Sequence, residues 1–393
     1  MARHLARLLL LGSSLLLCLL LGELGLRLWA GHPSGTGPQS VASQRFNPFR
    51  SDATLGYVLR PGWTGIHQTR DFRVRVHING LGLRGHPLEQ RKPSGTLRIA
   101  ILGDSYTFGF GVEDRDAFPA LLERLLSRPE RPVEVLNFDV PGYSTDHYWI
   151  LLQQRVQRLS PDLLIVATCS NDLPDLAWNQ LDLDPARLPL RTQSTLRMID
   201  YRGRMRYLEG SALGLPGLLA SPPAWLVDHS QLFNSARLRA AKVWLRLRGA
   251  ERRAAAGEPP RGPIQQLTAA EIQRGLRSGP GFQLRYHRYL MAAIARRARA
   301  LGLPLRRIHV GPGRGPLQED CQRLGAECLS AESLFDLQHD PELFLPDQHW
   351  RAQAHRRLAR AAARWLEPLL AGIAGPAVGA RGQPPSPSVS PDP

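Results

Sequence analysis

In the stretch ILGDSYTFGFG, residues 101–111, an apolar run ends in Gly-Asp-Ser and gives way to glycines. That pattern puts Ser105 in a tight bend just past a buried segment. A serine hydroxyl is a poor nucleophile until a base removes its proton, and His349 in FLPDQHW, residues 344–350, is the candidate base. A carboxylate must fix the imidazole tautomer and stabilise the imidazolium, and Asp347 stands two positions before the histidine. Asp340 is the reserve candidate. Attack on a carbonyl creates an oxyanion that needs preorganised donors. The backbone N–H groups of Ser105 and of Gly142, in DVPGYST, supply two, and the side-chain amide of Asn171, in ATCSNDLPD, supplies a third. Glycine at 142 leaves the backbone bare for close approach of a substrate.

Taken singly, each piece is ordinary. Gly-Asp-Ser is common turn chemistry, Asn171-Asp172 before Pro174 suits a loop or a helix cap, and His349 lies between His339 and His355. The conjunction, in a workable order along the chain, carries the reading. GPGRGP at 311–316 lacks the Lys-Ser/Thr ending of a phosphate loop and is read as a plain loop. No CxxC pair or His/Cys cluster suggests a metal site.

The elements that must position these groups follow from hydrophobic period. Leu97–Leu102, Val133–Phe138, Leu163–Ala167 and Leu305–Val310 are short apolar runs that read as buried strands. Between them fall helical patterns: Phe118–Leu126, then Tyr148–Leu159 behind the capping candidates Thr145 and Asp146, then Leu284–Leu301 stopped by Gly302 and Pro304. A last helix over about 351–367 buries Ala354, Leu358, Ala362, Trp365 and Leu366 and turns Arg356, Arg360 and Arg364 to solvent. Apolar strands alternating with amphipathic helices predict an α/β fold with a parallel sheet covered on both faces. In such a sheet the functional groups collect at the carboxyl ends of the strands, where Ser105, Gly142 and Asn171 all fall.

The chain carries a net charge of +16, and all but Lys92 and Lys242 of its 50 basic residues are arginine. No basic block is interleaved with stacking aromatics, which argues against nucleic acid. An acidic glycan or an anionic membrane surface fits the charge equally well. At the N-terminus Arg3, His4 and Arg7 precede an uncharged run from Leu8 to Gly22, followed by Glu23, Arg27 and Trp29. With no small-residue cleavage site after it, this segment reads as an uncleaved signal anchor over residues 1–30. The rest of the chain is then extracytoplasmic, or secreted if the signal is removed. Cys321 and Cys328 are close enough in sequence to pair in an oxidising compartment, and Cys169 reads as a buried thiol.

Residues 31–95 are expected to form a linker, rich in Gly, Ser and Pro to residue 50, and a β lead-in in which Phe72, Val74, Val76 and Ile78 alternate with polar residues. The main domain spans 96–371 with an insertion at about 175–280, packed over one sheet edge and partly mobile, and the tail over 372–393 is expected to be disordered.

Gly103-Asp104-Ser105, Gly142, Asn171-Asp172 and Asp347-x-His349-Trp350 resemble the blocks of the SGNH/GDSL hydrolases. The resemblance covers residues 97 to about 171 and 283–367, and Asn79, Gly82 and Arg84 in INGLGLRG are similar to the lead-in of membrane-anchored bacterial members. It implies a three-layer α/β/α sandwich with a mostly parallel, flavodoxin-like sheet. It also implies serine ester hydrolysis without a cofactor, with the roles given above and with Asp104 and Asp172 in support. Two departures stand out: Cys169 occupies a usual glycine, and one residue, Gln348, separates Asp347 from His349 where the family usually has two. The Asp-x-His-Trp form is more similar to the alginate O-acetyltransferase branch.

The expected function is therefore extracytoplasmic ester hydrolysis, removing O-acetyl groups from a cell-envelope glycan, with a lipid ester as the other substrate option. A polysaccharide O-acetyltransferase, served by a membrane-bound acyltransferase partner, is the enzymatic rival. A non-catalytic envelope module is the rival of another class.

Overall fold

The computed structural model describes residues 13–14, 17–25, 46–69, 71–194, 197–199, 205–207, 258–311 and 315–373. The expected tail falls almost wholly outside these residues, as do much of the expected anchor and much of the insertion. Among the described residues no helix is long and apolar enough to cross a membrane.

Thirteen strands are described: β1 Phe49–Asp52, β2 Gly56–Leu59, β3 Thr64–Gln68, β4 Arg73–His77, β5 Leu97–Leu102, β6 Val133–Asn137, β7 Leu163–Cys169, β8 Asn179–Leu183, β9 Pro189–Ser194, β10 Arg197–Ile199, β11 Met205–Tyr207, β12 Leu305–Val310 and β13 Cys328–Ser330. The α-helices that bear on the site are α1 Ser105–Phe108, α2 Phe118–Leu126, α3 Thr145–Gln154, α4 Asp172–Trp178, α5 Ala269–Ser278, α6 Pro280–Ala300, α7 Pro316–Arg323 and α8 Ala352–Ile373.

The main sheet runs β13-β12-β7-β5-β6, parallel throughout. Counted along the chain, that is order 2-1-3-4-5, so the sheet changes winding direction between β5 and β7. Every residue of β5 and β7 is buried, as expected of strands covered on both faces. The one charged residue of the two strands, Arg98, sits at the entry of β5, where Glu134 pairs with it at 2.6 Å and the carbonyls of Glu89, Gln90 and Leu159 take its other donors.

Two apolar layers flank the sheet. On one face α2 and α8 contribute Phe118, Leu122, Leu358, Ala362 and Leu366 to a cluster with Ile99, Ile101 and Ile165. On the other, α3 and α6 contribute Tyr148, Leu152, Met291 and Ile294 around Ala100, Leu102 and Val166. A third cluster joins α4, β8, α5 and α6 through Leu176, Leu181, Ile272, Phe282 and Leu290.

The lead-in differs from a tethered segment. Its antiparallel hairpins β1-β2 and β3-β4 deliver Phe49, Tyr57, Val58, Val74, Val76 and Ile78 into the same core as Ala100 and Leu102. The Tyr143 hydroxyl donates to the Tyr57 carbonyl at 2.5 Å, which fastens the lead-in to the turn that carries Gly142. Within the stretch read as linker, Phe49 and Arg50 already belong to β1. The capping expectation also shifts. Ser144 is the N-cap of α3, closing a capping box with His147, while Thr145 and Asp146 lie inside the first turn. The Asp146 carboxylate there is fully buried and accepts from Ser144, Asn179 and Thr192, which ties α3 to the β8-β9 hairpin. Trp365 is only partly buried, while Ala354, Leu358, Ala362 and Leu366 face the core of α8. Cys321 and Cys328 are disulfide-bonded, with Cα atoms 5.3 Å apart, which ties α7 to the edge strand β13.

Candidate active site

β5 ends at Leu102, and the chain turns at once into α1. Asp104 caps that helix, its Oδ1 accepting from the Tyr106 N–H at 3.0 Å. The turn has no room for a side chain at 103, because a Cβ there would run into the Thr107 hydroxyl and into Asp139. Ser105 becomes the first residue of the helix, with 9% of its surface exposed. The helix stops after one turn at Gly109, φ +92°, whose N–H, like that of Phe110, returns to the Ser105 carbonyl.

His349 arrives from the other end of the chain. Its loop is closed by hydrogen bonds from Leu345 N–H to the His349 carbonyl, 2.7 Å, and from Gln348 N–H to the Leu345 carbonyl, 2.8 Å. Gln348 adopts φ +72°, the left-handed region that non-glycine residues seldom enter. With that twist, one spacer residue is enough to bring Asp347 Oδ2 within 3.2 Å of His349 Nδ1. The approach lies off the line of a well-formed hydrogen bond, and among the described residues Nδ1 has no other partner. Burial alone would raise the Asp347 carboxyl, but the hydrogen-bonding and charge of His349 outweigh it and hold that carboxyl below its usual range. On the far side of the ring, His349 Nε2 stands 2.8 Å from Ser105 Oγ, across 244 residues of sequence. With its proton on Nδ1, facing Asp347, the imidazole accepts from the serine hydroxyl. Asp340 is elsewhere: it takes Arg357 at 2.8 Å and the Asp336 N–H.

Two aromatic rings lie against the imidazole, Tyr106 at 4.9 Å and Phe110 at 4.4 Å between centroids, each tilted by about 30°. The Tyr106 hydroxyl donates to the Gln348 carbonyl at 3.2 Å, so the residue beside the serine also braces the histidine loop. Neither ring was marked by the residue pattern, and adjacency to Ser105 was the only signal available.

Asn171 and Gly142 follow β7 and β6 at the same end of the sheet. Gly142 has φ +82°. The Asn171 amide donates to Asp104 Oδ2 at 2.9 Å and, more weakly, to Asp175 at 3.4 Å, which fixes which way its NH₂ points. Asp172 accepts from the Tyr148 hydroxyl at 3.0 Å and from the Cys169 N–H at 3.2 Å. Three carboxyls are thus buried together beneath the serine. Burial raises that of Asp104, partly offset by Asn171 and the Tyr106 N–H. It raises Asp172 further, with the charge of Asp104 adding to it. Among the described residues neither oxygen of Asp139 has a hydrogen-bond partner, and burial, offset only in part by nearby Thr107, pushes that carboxyl well above its usual range. The sequence reading missed Asp139 because nothing in DVPGYST distinguishes a buried aspartate from a loop one. Among the described residues no cluster of His, Cys, Asp or Glu could hold a metal ion.

Ser105, the first residue of a capped helix at the switch point of a 2-1-3-4-5 sheet and with a histidine on its hydroxyl, is a candidate hydrolytic centre. The chain belongs to the GDSL-like lipase/acylhydrolase family, whose model matches residues 101–322, more than half its length, and it is an enzyme of that class acting on esters. The match stops short of Asp347 and His349, and the structure brings that block to Ser105. Solved structures similar to it include a lipolytic protein of the G-D-S-L family from Desulfitobacterium hafniense DCB-2, 10% identical, covering 68% of this chain and 99% of that one, with a TM-score of 0.34. TesA is 14% identical, covering 69% of this chain and 99% of its own, with a TM-score of 0.33. A two-domain esterase active on acetylated mannans is 9% identical over 75% of this chain and 53% of its own, with a TM-score of 0.29. No curated protein matches the chain.

Proposed function

We propose that the protein is an extracytoplasmic serine esterase that removes O-acetyl groups from a cell-envelope glycan. The observation that carries the catalytic part is the 2.8 Å approach of Ser105 Oγ to His349 Nε2. In this reading His349 takes the serine proton as Oγ attacks the ester carbonyl, then returns it to the departing sugar hydroxyl. Water repeats the sequence on the acyl-serine, with His349 again as base, and releases acetate. Asp347 steadies the imidazolium formed in each half. The oxyanion is received by the N–H groups of Ser105 and Gly142 and by the Asn171 amide, whose long contact to Asp175 is the one that yields. Asp104 and Asp172 stay in support: the first holds the Asn171 amide, the second braces the turn at Cys169.

The extracytoplasmic part rests on the apolar N-terminal run behind Arg3 and Arg7 and on the Cys321–Cys328 bond, which suits an oxidising compartment. A net charge of +16 favours an acidic polymer as substrate. Hydrolysis of p-nitrophenyl acetate by the full-length protein, with Ser105→Ala alongside, tests the centre, and acetate release from O-acetylated polysaccharides tests the substrate. Equal turnover by the well-folded variant sinks the proposal. The single-residue spacer between Asp347 and His349 supports a second reading, acyl transfer to a sugar hydroxyl. That reading expects an acetylated sugar product when donor and acceptor are supplied together.

A further inference from the structure

Arg84 lies in the lead-in, yet its guanidinium is spent entirely on the turn that follows the nucleophile helix. Its side chain is 1% exposed. Nη1 donates to the carbonyls of Phe108 at 2.9 Å and Gly109 at 2.6 Å, and Nη2 donates to that of Val112 at 2.6 Å. Nε donates to Asp114 Oδ1 at 2.8 Å, and the guanidinium also lies 4.6 Å from the centre of the Phe108 ring. The same turn is held along β4, where Glu113 accepts from the Arg75 N–H and Asp114 from the His77 N–H. One rigid fork therefore sets the path of residues 108–114, a task that a lysine's single nitrogen cannot perform.

What that turn presents to the site is Phe110, whose ring lies 4.4 Å from that of His349. From the lead-in side, Phe110 is met edge-on by His67 at 4.7 Å and by Phe72 at 5.4 Å, and His67 is itself stacked on Phe46 at 3.8 Å. The next residue, Gly111, has φ +81°, and a Cβ there would stand 2.5 Å from Leu345 Cδ1. Leu345 is the residue whose N–H closes the histidine loop. The turn is thus a wedge between the lead-in and the loop that carries His349.

We infer that Arg84 is a positioning residue for the His349 imidazole, acting through the Phe110 turn, so that the lead-in is a working wall of the active site. The inference rests on the esterase reading above. It explains why an antiparallel segment before the main sheet spends a buried cation on backbone carbonyls 24 to 28 residues downstream. Phe110 and Arg84 do not touch the reacting atoms in this account; they decide how well the ring is aimed.

The test compares full-length wild type, Arg84→Lys, Phe110→Leu and the double variant, with active sites counted by a fluorophosphonate that labels Ser105. Per labelled site, each single variant is expected to lose about tenfold or more in kcat for p-nitrophenyl acetate while KM stays within about twofold, as misaiming a general base predicts. The double variant is expected to cost little more than the worse single one, because both act on one turn. A residue needed only for folding would lower the melting temperature and the labelled fraction but leave turnover per labelled site unchanged. That result, in both single variants, overturns the inference alone. A wild type that takes no label, and hydrolyses no faster than Ser105→Ala, brings down the esterase reading and this inference with it.

Discussion

The two halves of the site are held by different physics. Ser105 stands where the sheet puts it, at the end of a fully buried strand, in a turn with no room for a side chain at 103 and backed by Asp104, whose carboxyl caps α1 and holds the Asn171 amide. His349 stands on a loop, with its partner carboxylate 41% exposed, and owes its aim to ring contacts, a left-handed spacer and a few backbone hydrogen bonds. Secondary structure fixes Ser105; side-chain packing fixes His349. A site assembled this way should fail abruptly when its first half is touched and by degrees when its second half is.

The largest effect is expected from Ser105→Ala, which should cost at least about 10³-fold in kcat, since the hydroxyl has no substitute. Its melting temperature should stay close to that of the wild type, because only a small, nearly buried hydroxyl is lost. Asp347→Asn should cost less, about 10²-fold, because a half-exposed carboxylate in a poorly aligned pair does less than a buried one. Asp340→Asn should leave kcat unchanged, and steady-state kinetics on the three variants ranks them. Reversal of the last two would move the orienting role to Asp340.

Gly111→Ala probes the seam between the halves. Its φ of +81° and the blocked space toward Leu345 predict about 1–2 kcal/mol of destabilisation by denaturant titration, with a several-fold lower kcat. On the nucleophile side, Asp139→Asn should raise stability. A carboxyl whose pKa is raised by folding keeps its proton in the fold after the unfolded chain has lost it. Stability is then lost as pH rises above about 4, at up to about 1.4 kcal/mol per pH unit for this group. The advantage of the asparagine variant should accordingly widen as the pH is raised above about 4, read by thermal melts. The disulfide, like Asp340, should have no effect on activity. Replacing Cys321 and Cys328 by serine should cost about 2 kcal/mol of stability, given the short loop, and nothing in kcat, since edge strand β13 lies away from the serine.

Much of the first half was legible in the sequence. The bounds of β5, β12 and α2 follow directly from apolar period, and Gly103-Asp104-Ser105 announces its own turn. Chemistry alone named Ser105, His349 and Asp347 as candidates, and the fold brings the three side chains together. Less was legible where side chains decide. Ser144 rather than Thr145 or Asp146 caps α3, since three neighbouring polar residues offer equal capping chemistry and only the packing of Asp146 against Asn179 and Thr192 breaks the tie. Phe110 and Tyr106 gave no periodic signal, as each meets a residue more than 230 positions away. Arg84 was visible as part of INGLGLRG, but the carbonyls it serves carry no side-chain mark.

Gln348 has one more consequence. Surface loops usually absorb insertions and deletions without complaint. This one is metered: a single residue, twisted to φ +72° with its carbonyl held by the Tyr106 hydroxyl, sets the span between carboxylate and imidazole. Length, rather than composition, is what natural drift can least afford to change there. Residue 348 should accept glycine or asparagine readily, resist valine or isoleucine, and tolerate no neighbour inserted beside it.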